Sequence, residues 1–181
     1  MQTVSQTIND LSYVLGAPRT RVNTIARALI NGGILPKSAG RDIKHIDAMQ
    51  LCGFVAAVAM SERADEAVET AATIMDLRLS GEPKGDKFKV VFAANINTSE
   101  REAAPTLTFS RLPSGLTAEL SGRFIFDGEL SEGTAPFWSV RGWGGWTKTS
   151  FTLAPEGFVI LRNLFRRTYD EDGRPVFGAK D

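Results

Sequence analysis

The chain has 181 residues, its 21 Lys and Arg are balanced by 21 Asp and Glu, and 43% of it is hydrophobic against 23% charged. These values allow one or two domains with real cores and exclude a disordered or fibrous chain. A single cysteine, Cys52, and a single histidine, His45, exclude an internal disulfide and a zinc site of the usual Cys and His kinds.

The first elements are read from residues 11 to 27, LSYVLGAPRTRVNTIAR. Ile8, Leu11 and Leu15 share one helical face, and Val22, Ile25, Ala26 and Leu29 share another, both at the spacing that buries a stripe. Gly16 separates the stripes and suits a left-handed helix end, while Pro18 suits the first turn of a second helix. The pattern predicts helix, turn, helix. In the DNA-binding form of that motif the second helix enters the major groove, and its free positions here are Arg19, Thr20, Arg21, Asn23, Thr24 and Arg27. Arginine and asparagine pair with guanine and adenine edges, and threonine bonds a base edge or phosphate. A solvated helical hairpin is the plainer alternative.

Gly32 and Gly33 end the second helix, and the loop that follows, rich in Lys, Ser, Gly and Arg, separates two short apolar pieces as a wing does. Lys37, Arg41 and Lys44 in that wing are expected beside phosphates, contributing affinity without sequence information. Residues 1 to 60 carry six basic residues (19, 21, 27, 37, 41, 44) against three acids (10, 42, 47), so this piece is positive within a neutral chain.

Asp47 is placed to cap a helix running to about Ser61 that is apolar nearly all round and is expected at the centre of the N-terminal domain. Cys52 within it reads as a small buried residue rather than a nucleophile. A further helix to about Leu79 carries an apolar stripe of Ala67, Val68, Ala71, Ala72, Met75 and Leu79. Residues 81–87 read as a linker. Beyond them the period changes to alternation: FKVVFAANI, TLTFSRL, LTAELSGRFIFDG and TKTSFTL all read as strands. A late helix places Phe158, Leu161, Leu164 and Phe165 together, with Arg162, Arg166 and Arg167 outside, and the tail can close a small hairpin. Trp138, Trp143 and Trp146 cluster around Gly142, Gly144 and Gly145. They read as a covered part of the sheet with a bulge, or, if exposed, as a surface for a partner protein or unpaired bases.

The phrase LGAPRTRVNTIARALINGGILPKSAGRDIKHIDAMQLCGFVAAVAMS resembles the small winged helix-turn-helix DNA-binding regulators of bacterial prophage and gene-transfer-agent regions. The residues that carry the resemblance are Leu15-Gly16, Val22, Ala26-Arg27, Leu29, Gly33-Ile34-Leu35-Pro36 and Asp47-Ala48 with Leu51, under half of the chain.

The expected fold is therefore α+β. Residues 1–80 form a helical, winged helix-turn-helix DNA-binding domain able to fold alone, and residues 88–181 a mainly antiparallel β domain with a late helix, serving oligomerisation or partner binding. The expected function is a sequence-specific transcriptional regulator of phage or prophage genes, a homodimer on double-stranded DNA without cofactor or metal. The alternative is a DNA-packaging or recombination adaptor, like a small terminase subunit, that recruits an enzyme. Catalysis is not expected: no phosphate loop is present, since RGWGGW has the wrong glycine spacing, and Asp127 and Glu129 in a turn lack a partner base. The longest apolar run, Leu51 to Met60, is too short to span a bilayer, and the opening residues lack a secretion signal's pattern, so a cytoplasmic location without membrane contact is expected.

Overall fold

Thr3 begins the helical half by capping: its hydroxyl accepts from the Gln6 N–H at 3.3 Å while the side-chain Oε1 of Gln6 accepts from the Thr3 N–H at 2.9 Å. The computed structural model describes residues 2–39, 42–79, 84–98, 103–113, 115–126, 129–138, 149–166, 168–169 and 175–176. Strand β1 (Gln2–Thr3) leads into α1 (Val4–Val14), followed by α2 (Arg19–Asn31), β2 (His45–Ile46) and α3 (Ala48–Met60). A 3₁₀ turn (Ala64–Glu66), α4 (Ala67–Met75), β3 (Arg78–Leu79) and α5 (Phe88–Asn97) come next. The remainder is β4 (Thr106–Leu112), β5 (Gly115–Phe126), β6 (Glu129–Trp138), β7 (Thr149–Leu153), α6 (Pro155–Arg166) and a small hairpin of β8 (Thr168–Tyr169) with β9 (Pro175–Val176). The fold is mixed, with N-terminal helices and a C-terminal antiparallel sheet ordered β3-β6-β5-β4-β7.

Several expected boundaries have the predicted chemistry. Asp47 caps α3, its carboxylate accepting from the Gln50 N–H at 2.7 Å, with Gln50 reciprocating at 3.0 Å. At the end of α2, Gly33 takes φ +76°, and the Gly33 and Ile34 N–H groups donate to the Ile30 and Leu29 carbonyls at 3.1 and 2.9 Å. That pairing satisfies carbonyls a helix end otherwise leaves open.

The segment FKVVFAANI is a helix, not a strand. Phe88, Val91, Phe92, Asn95 and Ile96 are buried at three-and-four spacing, and an apolar run this short reads equally well as either structure until something packs on it. The sheet decides: the Phe88 ring meets Phe109 of β4 at 5.8 Å and Phe137 of β6 at 5.1 Å. Arg162 is also not outside. It is 5% exposed and donates to the Ala103 carbonyl at 2.7 Å. On α4, Ala72 is exposed while Thr70 and Ile74 are buried, so the inward stripe is rotated from the expected one.

Residues 81–83 of the expected linker, with residue 80 before them, lie outside the described residues. On either side of them the chain pairs with itself, the Leu79 N–H donating to Asp86 O at 3.0 Å and the Phe88 N–H to Leu77 O at 2.8 Å. Lys87 also donates to Asp76 at 2.7 Å, and this hydrogen bond lowers the Asp76 carboxyl pKa. Helix α3, buried from Leu51 to Val58, packs on α2, α4, α5 and β4. One cluster of buried residues runs from Ile8 in α1 to Phe165 in α6. The change from helices to sheet near residue 88 is thus a change of secondary structure within a shared core.

Strand β5 outruns its neighbour: its ladder with β4 ends at Thr106↔Ser121, whereas that with β6 continues to Phe126↔Glu129. Past Ser121 a side chain takes the absent strand's place. Asn95, fully buried, accepts from the Ile125 N–H at 2.7 Å and donates to Ile125 O and Val91 O, each at 2.8 Å. Asn95→Ala strands buried peptide groups and is expected to cost about 1–3 kcal/mol. Urea unfolding reads this directly, and a midpoint equal to that of the parent chain would mean that water replaces the amide.

Candidate nucleic-acid interface

Helices α1 and α2 pack through Ile8 and Leu11 on one side and Val22, Ile25, Ala26 and Leu29 on the other, all buried. Between them Gly16 stands at φ +63°, a conformation that glycine adopts without the Cβ penalty other residues carry. Ser12 Oγ closes the turn by donating to Ala17 O at 2.7 Å. Pro18 is the N-cap of α2, one position before the first turn. A cap position accommodates proline because its missing N–H has no partner to lose there.

This packing turns the other side of α2 outward. Arg19, Thr20, Thr24 and Arg27 are exposed and Asn23 is half-buried. The Thr24 hydroxyl donates back to Thr20 O at 2.9 Å. Asn31, one turn beyond Arg27, is exposed on the same face. It was missed among the candidate residues, although its spacing from Arg27 and its place just before Gly32 were the available signal.

Arg21 departs from the expected reading surface. Its guanidinium donates to the Ser61 carbonyl and, at 3.4 Å, to the Glu62 carbonyl, at the C-terminal end of α3. The physical reason is its position one turn before buried Ile25, on the shoulder of the inward stripe, beside carbonyls that carry the negative end of the helix dipole. Arg111 of β4 donates to the Met60 carbonyl at 3.1 Å, so α2 and the sheet grip neighbouring residues of one helix end.

In the loop after α2, Lys37 and Lys44 are exposed, and Arg41 lies outside the described residues. Ala39 and Asp42 exchange backbone hydrogen bonds at 3.2 and 3.0 Å, and Ser38 Oγ accepts from the Lys44 N–H at 3.1 Å. Lys44 is 3.9 Å from Asp42, an exposed pair of little energetic weight. Among the described residues the ladder beyond the loop is β2 with β1, registered Gln2↔Ile46 and Thr3↔His45, so the loop's far end is tied to the start of α1. Arg19, Arg27, Lys37 and Lys44 therefore belong to elements joined at both ends, and these side chains reach solvent.

Cys52 is fully buried and burial pushes its thiol pKa far up, which leaves it uncharged and without access as a nucleophile. His45 is exposed on β2. Among the described residues no group of three or more His, Cys, Asp or Glu is placed to hold a metal ion, and no helix is long and apolar enough to cross a membrane. Trp138 ends β6, whereas Trp143, Trp146, Gly142, Gly144, Gly145 and Asp127 lie outside the described residues; Glu129 opens β6 and is exposed. Comparison of the chain with protein-family models, with curated proteins and with solved structures gave no match.

Proposed function

We propose that the chain is a sequence-specific DNA-binding regulator, with α2 as the helix that enters the major groove. The observation that carries this reading is the outward face of α2, where Arg19, Thr20, Thr24 and Arg27 are exposed and Asn23 is half-buried beside them, on the second of two helices joined by a tight turn. Their donors and methyl groups match the edges of guanine, adenine and thymine. Lys37 and Lys44 supply phosphate contacts beside it, with Arg41 assigned to the same role from its place in the loop. Control of phage or prophage genes is the target that the N-terminal resemblance supports. A homodimer is part of the proposal because one helix reads too few base pairs to select a genomic site, and two helices at one-turn spacing double the reading.

Selection of bound duplexes from a random pool, with molecular mass measured in solution, tests it. A recovered motif with two half-sites and a dimeric mass is the expected result; a ring of many copies with little sequence preference would replace it with the packaging-adaptor reading. On the selected site, Arg27→Ala is expected to cost about 1–3 kcal/mol and relax preference at one or two base pairs. Lys37→Ala should weaken matched and mismatched duplexes alike and lower the salt slope by about one phosphate. Arg21→Ala should leave the base profile unchanged and lower the melting temperature instead, since its partners are Ser61 and Glu62. A base profile altered by Arg21→Ala alone would return Arg21 to the reading surface.

A further inference from the structure

Helix α4, Glu66 just before it and the adjoining ends of β4 and β5 line a cleft of about 240 Å³, and one of its residues, Arg111, also holds the Met60 carbonyl at the end of α3.

 Of the two arginines that grip that helix end, Arg111 lines the cleft and Arg21 does not. One wall carries Glu66, Glu69, Thr70 and Thr73; the other carries Arg111 with Gly115 and Leu116. Glu66 and Arg111 are half-buried, Glu69 is exposed and Thr70 is buried. Two glutamates and an arginine thus line one small space. Among the described residues neither glutamate forms an ion pair with Arg111. Glu66 accepts from the Glu62 N–H at 3.3 Å, and Arg111 uses one of its several donors on Met60 O.

Opposite charges held apart across a cavity favour a ligand that carries both signs. A lone cation or a lone anion meets a like charge as well as an opposite one, whereas a dipolar ligand can set each of its ends beside an opposite charge. The volume is below the roughly 300 Å³ at which pockets for drug-sized ligands begin, which restricts the occupant to a few heavy atoms. We propose that this cleft binds a small zwitterion of the free α-amino-acid class. Its carboxylate pairs with the Arg111 guanidinium, whose fork matches a carboxylate, and its ammonium lies between Glu66 and Glu69, with the Thr73 hydroxyl beside it. The site stands independently of the DNA reading, because binding is measured on the free protein.

Calorimetric titration of the full chain with each common free α-amino acid tests the proposal, followed by the N-acetyl and amide derivatives of any that binds. At least one amino acid is expected to bind at millimolar concentration or below. Its N-acetyl derivative, which lacks the cation, and its amide, which lacks the carboxylate, should each bind at least about tenfold more weakly. Glu69→Gln and Arg111→Lys should weaken it similarly. Glu69 is exposed and Gln retains its shape, so that variant keeps the test sound if Arg111→Lys unfolds the chain. No heat with any amino acid, equal binding of the derivatives, or binding unchanged in Glu69→Gln would each overturn the assignment.

Discussion

Phe88→Ala is expected to destabilise the chain by about 3–5 kcal/mol, the range for deleting a fully buried phenylalanine. Phe88 is 0% exposed, and its ring lies 6.0 Å from Phe92 on its own helix, 5.8 Å from Phe109 and 5.1 Å from Phe137. The last two belong to different strands, so removing this one ring takes contacts from α5, β4 and β6 together. Such a junction collapses poorly, because no single element can move into the space without leaving another neighbour. Aromatic edge contacts add about 0.5–1.5 kcal/mol each beyond buried area, which favours the upper part of the range. Urea unfolding followed by circular dichroism measures the loss. A change under about 1 kcal/mol would mean that the helix repacks onto the sheet around a smaller side chain.

Residues 1–80 made alone are expected not to fold cooperatively, contrary to the independence anticipated from the apolar run in α3. That helix is buried on nearly every side, but part of its cover comes from α5, β4 and β7, all beyond residue 80. The fragment also loses the packing of α1 on α6, the hydrogen bond from Gln2 Nε2 to Leu164 O at 2.6 Å and the hold of Arg111 on Met60 O. Exposed leucine, phenylalanine and valine on α3 then face water, at roughly 1.5–3 kcal/mol for each large side chain uncovered. Set against a typical stability of about 5–15 kcal/mol, a few such residues suffice to unfold it. Circular dichroism melting and sedimentation of the fragment decide. A sharp melt from a monodisperse species would restore a separable N-terminal domain and would place the shared core among contacts the helices can do without.

The helical pair was legible because each of its signals is local. Gly16 before Pro18, the Asp47 cap, Gly33 after α2 and the stripe of Val22, Ile25, Ala26 and Leu29 depend on residues within a turn or two, where spacing decides geometry. The strands Thr106–Leu112 and Gly115–Phe126 were legible for the same reason: alternation and a tight turn between them need no distant partner.

What lay beyond the sequence is each residue whose role depends on a partner far along the chain. Phe88 to Asn97 became a helix because Phe109 and Phe137, 21 and 49 residues beyond Phe88, lie on strands that offered it a surface. Arg21 and Arg27 have the same chemistry and sit on the same helix, yet one is bound to the end of α3 and the other is free to reach a ligand. Arg162 turned inward because Ala103 presents a carbonyl there, and Asn95 completes a strand edge that β4 leaves short. Helix periodicity and capping are short-range and are written in neighbouring residues; the sharing of arginines between carbonyls and solvent, and the choice between helix and strand for an apolar run, are set by which surfaces the tertiary structure brings together.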